Sequence, residues 1–246
     1  MSPVTLASAP ILRLCYSVCM GQVSKSKATD KSKKRKPAKG SSAEPGLFLE
    51  SISFRKKYRV FNRSRKLAFR PGVNLMVGEQ GSGKSTIIEL LCSYCSQVKF
   101  KNEEARKTIK LEIGGNVPIL NYDFEKDNVR TQGHLSESGA GIAFQLNSHF
   151  MSHGEVGTLI LKGLENEIKE PTLVLLDEPD MALSPKNALL LAKQLQRLAA
   201  GGNQILAAVH NPLVIASQAE VFSLEHKRWM GSDKFLLAHA EAAEKG

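Results

Sequence analysis

Short apolar runs separated by polar segments begin at residue 47 of this 246-residue chain and continue almost to its end. Runs that stop at polar or glycine residues predict strands. The predicted strands are 47–54, 58–61, 73–77, 117–122, 172–176, 204–209 and 219–224. Helical spacing, or Pro and Gly at the two ends, predicts helices at 84–97, from about 154, and at 185–200. Because strands alternate with helices, we predict an α/β fold with a mostly parallel sheet.

Three segments interrupt this pattern. Residues 98–116 predict a polar hairpin or irregular insert, and residues 123–140 a polar loop. Residues 21–46 have eight basic and two acidic side chains and almost nothing apolar, a composition typical of disorder. We therefore predict a disordered basic extension at 1–46 and a single domain at 47–246.

The formal charge of +10 lies mostly in that extension, which leaves +3 for residues 47–246. A nonspecific nucleic-acid arm, a localisation signal around 33–36 and a solvated leader all remain open for it. The apolar stretch at 9–20 is too short to cross a bilayer, and no other segment is long and apolar enough. We expect no membrane span and a cytoplasmic location, with Cys92 and Cys95 as structural thiols.

A glycine-rich segment, GEQGSGKST at 78–86, lies between the predicted strand 73–77 and a helix, and it fits the pattern GxxxxGK[ST]. Glycines let such a loop direct backbone N–H groups at phosphate oxygens, and the helix start adds partial positive charge. Lys84 is expected to reach the terminal phosphates, with a role in catalysis, and Ser85 to ligate Mg²⁺. The predicted nucleotide-binding residues are Gly78, Glu79, Gln80, Gly81, Ser82, Gly83, Lys84, Ser85 and Thr86.

An acidic pair, Asp177 and Glu178, follows the apolar run 173–176. An open α/β sheet places ligand groups at the carboxyl ends of its strands. We predict that Asp177 holds Mg²⁺ together with Ser85, and that Glu178 is a catalytic residue that orients the attacking water or accepts its proton. His210, at the end of the strand 204–209, is either structural or a catalytic contact of the γ-phosphate or the water.

These elements together resemble the Walker A, Walker B and switch-histidine elements of the ABC-type ATPase superfamily. The segment Met151-Ser152-His153-Gly154-Glu155 is similar to the signature motif of that superfamily, and Ser152 lies 25 positions before Asp177. The glutamate at its end resembles the chromosome-maintenance, break-repair and RecF-like branch more than transporters. Small bacterial and phage ATPases with an SHGE segment are more similar still, and the resemblance covers residues 47–224.

The resemblance implies a P-loop NTPase fold of the ABC ATPase-head type, with a smaller antiparallel β portion, and Mg²⁺-dependent ATP hydrolysis. It also implies a homodimer in which two subunits bind head to tail around two ATP molecules. Ser152, Gly154 and Glu155 would then belong to the binding site for the nucleotide of the partner subunit. Ser152 and Glu155 equally fit an ordinary helix capping box. An effector protein is expected as a partner, because no nuclease, methylase or protease constellation is present.

Several positions depart from the family pattern. Ser184 stands where members usually have Asp, so that role is not carried over. No glutamine follows the strand 117–122 until Gln132, which leaves Asp123 or Glu125 to contact the metal or water. Arg55 lies where relatives often have a basic residue near the phosphates. Only 68 positions separate Lys84 from Ser152, which is too few for long coiled coils and leaves little for the helical arm of a transporter.

Residues 55–70 contain eight basic residues, no acidic ones and interleaved aromatic side chains. Such a basic patch fits a nucleic-acid backbone, and it equally fits a solvated outer hairpin. We predict an ATPase in a DNA-linked process such as repair, recombination or phage defence, which binds DNA through 55–70 and the basic tail. Two alternatives stay open: the ATPase subunit of a transporter, and a slow ATP-dependent switch or assembly scaffold for an effector.

Overall fold

The computed structural model describes residues 17–20, 48–96, 98–114, 116–125, 127 and 153–245. The strands in these ranges are β1 (Ser17–Met20), β2 (Leu49–Phe54), β3 (Lys66–Ala68), β4 (Val73–Val77), β5 (Ile109–Ile113), β6 (Asn116–Asp123), β7 (Leu173–Asp177), β8 (Gln204–Ala208), β9 (Glu220–Ser223) and β10 (Arg228–Gly231). The helices are α1 (Lys84–Tyr94), α2 (Lys99–Thr108), α3 (His153–Glu167), α4 (Pro185–Ala200), α5 (Pro212–Ile215) and α6 (Ser232–Lys245).

A seven-stranded central sheet has the order β1-β6-β7-β8-β4-β9-β10. Its inner strands from β6 to β9 run parallel to one another, and β1 and β10 are antiparallel at its edges. A second sheet of three antiparallel strands, in the order β3-β2-β5, is the small sheet of this protein. The predicted α/β fold with a smaller antiparallel portion is therefore confirmed.

The strands β7 and β8 are mostly apolar because helices cover both faces of the central sheet. Every residue of β7 and β8 is buried, as expected for parallel strands inside a layered fold. Successive residues of β4 enter different cores: Met76 packs in the cluster that contains Ile87 of α1, and Val77 in the cluster that contains Leu191 of α4. This alternation places α1 and α4 on opposite faces of the central sheet.

One buried side chain, Gln204 at the start of β8, connects the two sheets. Its Oε1 atom accepts hydrogen bonds from the backbone N–H groups of Phe48 (3.0 Å) and Leu49 (2.7 Å). Its Nε2 group donates to the carbonyl oxygens of Leu49 (2.9 Å) and Arg70 (3.0 Å). The small sheet is thereby fixed beside β8, which neighbours the strand that leads into the glycine-rich loop.

Two sequence predictions of secondary structure are wrong. Residues 98–114 contain helix α2 and strand β5, not a polar hairpin or irregular insert. Only Ala105 and Thr108 of α2 are buried, so its sequence lacks the apolar stripe that would have indicated a helix. Residues 58–61 form a turn closed by a single antiparallel bridge between Tyr58 and Phe61, not a strand.

At the N-terminal side, β1 pairs with β6, and Ser17 lies opposite Ile119. The rest of the predicted extension and most of the predicted loop 123–140 lie outside the described residues, so the division into 1–46 and 47–246 stays a prediction. The two cysteines predicted to be structural differ in exposure, since Cys95 is buried and Cys92 half-buried. Within the described ranges no helix has both the length and the apolar character that crossing a bilayer requires.

Candidate nucleotide site

The glycine-rich loop joins β4 to α1 at one edge of the central sheet. The strands β7, β8 and β4 are neighbours and run parallel, so their carboxyl ends meet at this edge. The acidic pair at the end of β7 and the histidine that follows β8 are therefore brought to the loop. These motifs are far apart in the sequence, and the strand order brings them close together in space.

The loop needs glycine at position 83 for two reasons. Gly83 has a φ of +103°, in the left-handed region where side chains are disfavoured. A Cβ atom there would lie 2.6 Å from the ring of Phe61 and 2.8 Å from Cγ2 of Val60. Gly81 also has a positive φ, of +81°, but a Cβ atom there would meet nothing within 4 Å. Glycine at position 83 thus allows the 58–61 turn to pack closely against the start of α1.

Lys84 is buried under the loop, with 5% of its surface exposed. Its Nζ group donates to the carbonyl oxygens of Gly78 (2.7 Å) and Glu79 (3.1 Å). Burial lowers the pKa of this ammonium, while the nearby carboxylates of Glu178 and Asp177 act in the opposite direction. The lysine therefore places a fixed positive charge at the loop.

The two predicted metal ligands meet across the loop. The Ser85 hydroxyl donates to Oδ1 of Asp177 at 3.1 Å, and Asp177 is itself buried. A hydroxyl and a carboxylate oxygen are ligands that a hard cation such as Mg²⁺ prefers. Asp123 lies opposite Asp177 in the register of β6 and β7, but its Oδ1 atom accepts the N–H of Glu125 at 3.1 Å. Glu125 itself is exposed.

Glu178 and His210 form a pair beside these ligands. The Nε2 atom of His210 lies 3.4 Å from Oε1 of Glu178. Glu178 has a φ of +52°, which is unfavourable for a side chain of this size and is characteristic of functional positions. Its N–H donates to the carbonyl oxygen of Ala208 at 3.1 Å and so continues the bonding of β7 to β8 by one residue.

Asp180 is a site residue that the sequence reasoning missed. It is buried, and its Oδ2 atom accepts hydrogen bonds from the backbone N–H groups of His210 (2.6 Å) and Asn211. The only sign of a site role in the sequence was that Asp180 lies two residues after Glu178. A buried carboxylate next to an acidic pair at a strand end has to bond something nearby.

The C-terminal part of the chain also contacts the loop. Oε1 of Glu225 accepts the N–H of Glu79 at 2.5 Å. In α6, Nε2 of His239 lies 3.6 Å from Oε1 of Glu79 and 3.7 Å from Oε1 of Glu225. No local pattern distinguishes Glu225 or His239, because the loop that they contact lies some 150 residues earlier in the sequence.

Of the eight basic residues at 55–70, Arg59 contacts α1, the helix that follows the glycine-rich loop. Its NH1 group donates to Oγ1 of Thr86 and to Oε2 of Glu89, both at 2.9 Å. Arg55, which the resemblance placed near the phosphates, is exposed, and its backbone N–H bonds the carbonyl oxygen of Thr108 at 2.8 Å. Arg59 is thus the basic residue that lies beside the loop.

A cavity of about 620 Å³ adjoins the Glu178–His210 pair. It is lined by the start of the glycine-rich loop, the turn after β7, the residues after β8, and α6. The signature segment lies only partly in the described chain: Ser152 is outside it, and α3 begins at His153, with Gly154 and Glu155 in its first turn. Ser184, at the departure from the family pattern, caps α4 by accepting the N–H of Asn187 at 3.4 Å.

Neighbouring parallel strands that bring a phosphate loop together with an acidic pair and a histidine are the architecture of an ABC-type P-loop ATPase, and this chain is a protein of that class. A family model described as "AAA domain" matches residues 55–199, more than half of the sequence, so the chain belongs to this family.

Curated relatives point to the same class. The HMP/thiamine import ATP-binding protein YkoD of Bacillus subtilis is 25% identical over an alignment of 225 residues, and the match covers 80% of this chain and 40% of YkoD. The energy-coupling factor transporter ATP-binding protein EcfA2 of Lactobacillus delbrueckii is 25% identical over an alignment of 203 residues, and the match covers 69% of this chain and 68% of EcfA2. The chain thus spans well under half of the length of YkoD and about two thirds of that of EcfA2.

Solved structures similar to this chain include a head domain and a transporter cassette. The SMC head domain from Thermotoga maritima is 18% identical, with a TM-score of 0.47 over 72% of this chain and 94% of the head domain. A nucleotide-free ATP-binding cassette from an ABC transporter is 13% identical, with a TM-score of 0.49 over 78% of this chain and 95% of the cassette.

Proposed function

We propose that this protein binds ATP with Mg²⁺ at the edge formed by β4, β7 and β8, and hydrolyses it there. The observation that carries the proposal is the hydrogen bond of 3.1 Å between Ser85 and Asp177. It joins the phosphate loop to the acidic strand end and brings together two oxygen ligands of the kind Mg²⁺ requires. When bound, Mg²⁺ would neutralise part of the negative charge on the phosphates of ATP.

The residues around these ligands have distinct roles in this proposal. Lys84 provides a buried positive charge for the phosphates, and the first turn of α1 provides unpaired backbone N–H groups. Glu178 orients the attacking water or accepts its proton, and His210 lies within 3.4 Å of it to hold the water or the γ-phosphate. The remaining loop residues 78–83 surround the phosphates.

We further propose that two copies bind head to tail around the nucleotides. The side chains of Glu178 and His210 are 35% and 45% exposed in the single subunit, so a partner could cover them and exclude water. Gly154 and Glu155 lie in the first turn of the 15-residue helix α3, a position suited to an anionic group of the partner's nucleotide. Ser152 would complete that contact.

A DNA-linked process is the finer proposal, and the basic patch 55–70 supports it in part. Four of its eight basic residues make salt bridges with exposed acids. These are Lys56 with Glu104, Arg59 with Glu89, Lys66 with Glu112, and Arg70 with Glu220. Of the other four, Arg65 is half-buried, whereas Arg55, Lys57 and Arg63 are exposed and have no ion pair within the described residues. These three, together with the basic tail, are the proposed contacts for a phosphate backbone.

A transport role is the second candidate, and the names of the two curated relatives favour it. YkoD and EcfA2 are both named as ATP-binding proteins of import or transporter systems. In that case the partner would be a membrane protein instead of DNA, and turnover would not respond to DNA. A third outcome is the slow switch for an effector, in which ATP is bound and the dimer forms but turnover is minimal.

The test is ATP turnover of the full chain at fixed low salt, with and without duplex DNA, and with Mg²⁺ or a chelator. Glu178→Gln should lower kcat by about two to four orders of magnitude. Glu170→Gln, an exposed glutamate before the opposite end of β7, is the matched control and should change nothing. Turnover that persists with the chelator contradicts the role of Mg²⁺, and undiminished turnover in Glu178→Gln contradicts the role of Glu178. No turnover of the wild-type chain with Mg²⁺ overturns the hydrolysis proposal.

Stimulation by DNA supports the DNA-linked proposal, and turnover indifferent to DNA contradicts it and favours a protein partner. Size measurements with ATP in the Glu178→Gln variant test the dimer. A monomer under those conditions contradicts the head-to-tail proposal.

A further inference from the structure

Where the parallel strands β7 and β8 end, a side chain takes over the hydrogen bonds that the backbone of a neighbouring strand would otherwise make. The last backbone bond between the two strands is from the N–H of Glu178 to the carbonyl oxygen of Ala208, at 3.1 Å. Beyond it the chain after β7 turns, closed by a bond of 3.1 Å from the N–H of Met181 to the carbonyl oxygen of Glu178. Because of this turn, β7 no longer runs beside the residues that follow β8.

The carboxylate of Asp180 takes over that bonding. Its Oδ2 atom accepts the N–H of His210 at 2.6 Å and also the N–H of Asn211. Asp180 is only 5% exposed, and a buried carboxylate is stable only when donors of this kind satisfy it. The backbone on both sides of the His210 side chain is therefore fixed by one residue of the turn that also holds Glu178.

The chain after His210 is fixed as well. Oδ1 of Asn211 accepts the N–H of Leu213 at 2.9 Å and caps α5. His210 thus lies between a strand end bonded to Asp180 and a capped helix start. These hydrogen bonds all involve backbone N–H groups, so they fix the position of the His210 imidazole without contacting the ring.

We propose that Asp180 is a positioning residue for His210. It holds the His210 backbone so that the imidazole stays 3.4 Å from Glu178, and it makes the turns after β7 and β8 a single unit. This inference rests on the proposed function, in which Glu178 and His210 serve hydrolysis. It adds a residue that acts through His210 and not on the nucleotide.

The direct test is amide hydrogen exchange of His210 and Asn211 in the full chain, which requires no turnover. In Asp180→Ala both amides should exchange about tenfold faster or more, since each loses a hydrogen bond to a charged acceptor. Asp180→Asn keeps one acceptor oxygen and should retain part of the protection. Unchanged protection of both amides in Asp180→Ala overturns the proposal.

Asn203→Ala is the matched control, because it removes a buried bond of the same kind at the other end of the same strands. Asn203 Oδ1 accepts the N–H of Thr172 at 2.9 Å, and its Nδ2 group donates to the carbonyl oxygen of Leu198 at 2.8 Å. Both variants should lower the unfolding temperature. Only Asp180→Ala should lower kcat, with KM for ATP little changed because Lys84 and Ser85 are untouched.

A double-mutant cycle separates positioning from general destabilisation. In a His210→Ala background, Asp180→Ala should cause no further loss of kcat, whereas its effect on unfolding should remain. Independent losses of kcat overturn the proposal, as does an equal loss of kcat in Asn203→Ala. If the wild-type chain shows no turnover, the proposed function fails, and amide exchange alone still decides whether Asp180 positions His210.

Discussion

The carboxyl edge of the central sheet and the small sheet both carry many charged residues, but they hold them in opposite ways. At the edge, Lys84, Asp177 and Asp180 are each only 5% exposed, and each bonds a specific group. Around the small sheet, the four ion-paired bases of 55–70 are 46–55% exposed and their acidic partners 38–57%, as in the pair of Lys56 with Glu104. The charges of the two regions therefore differ in burial and in energetic weight.

The difference teaches where charge indicates function. Exposed ion pairs contribute little to stability, whereas a buried charge that loses its partner lowers stability strongly. Buried charges are therefore expected only where specific hydrogen bonds or ion pairs satisfy them. The run of bases at 55–70 suggests a strong positive field, but the acids that neutralise half of it come from residues 89–220. Mutations at the two regions should therefore differ in kind and in size.

The largest expected effect is at the edge. Asp177→Asn should raise the Mg²⁺ concentration for half-maximal turnover by about ten- to a hundredfold, because the variant loses a charged oxygen ligand. Glu112→Gln, an acid of the small sheet paired with Lys66 at 2.7 Å, should leave that concentration unchanged. A Mg²⁺ titration of turnover decides this, and equal curves for Asp177→Asn and wild type would contradict the assignment of Asp177.

A second prediction concerns the place where the two regions touch. Gly83→Ala should lower the free energy of unfolding by about 2–4 kcal/mol, because the new Cβ meets Phe61 and Val60 at a left-handed φ. Gly81→Ala, with a similar φ but open space, should cost only about 1–2 kcal/mol. Denaturant unfolding of both variants provides the comparison, and equal losses would mean that the contact with the 58–61 turn is unimportant.

The third prediction separates paired from unpaired bases of the patch. Replacing Arg55, Lys57 and Arg63 by Gln should weaken binding to duplex DNA and flatten its salt dependence by about 0.9 in log–log slope for each phosphate that the variant no longer neutralises. Replacing Lys56, Lys66 and Arg70 instead, which removes as many charges from salt bridges, should have a smaller effect. Binding titrations at several salt concentrations measure both, and identical slopes for the two triple variants would remove the patch from the proposed DNA interface.

The smallest expected effect is a pH dependence from Lys84. Burial lowers the pKa of this lysine below its ordinary value of 10.5, so between the two values the unfolded chain binds more protons than the folded one. In that window the stability of the nucleotide-free protein should rise with pH, by no more than about 1.4 kcal/mol per pH unit. Below the window this contribution is flat.

The comparison variant is Lys84→Met, in which the same slope should be missing. Denaturant unfolding of both proteins at several alkaline pH values measures it. A wild-type slope that falls with pH relative to Lys84→Met would show that the charged lysine is stabilised, not penalised, in its site.

The edge was largely predictable from sequence, because its strands are continuous apolar runs and its motifs follow directly from their ends. β4, β7 and β8 and the helices α1 and α4 match the predictions closely. In the small sheet only β2 was predicted, within 47–54. The strand β5 is recognisable only through its pairing with β2, and the adjoining helix α2 was missed because it buries only two residues. Local patterns indicate an element only when burial gives it a periodic face.

Within the site, sequence reasoning identified the residues of local motifs and missed those defined by distant partners. Asp180, Arg59, Glu225 and His239 each act through a contact with another segment, between 27 and 160 positions away. No propensity or spacing encodes such a contact, because it arises only when the strand order brings the segments together. The Asp180 carboxylate is the plainest case, since its partners are backbone groups that any residue would provide.

The joint made by Gln204 restricts which amino acid can stand at that position. Its single amide accepts two N–H groups and donates to two carbonyl oxygens, all from backbone. A glutamate of the same shape would present acceptors where donors are needed, an asparagine is one carbon shorter, and leucine or methionine has neither function. We expect proteins that join their two sheets in this way to keep glutamine at the corresponding position while the residues around it vary, so a conserved glutamine at the start of that strand would mark the joint in sequences whose structures are unknown.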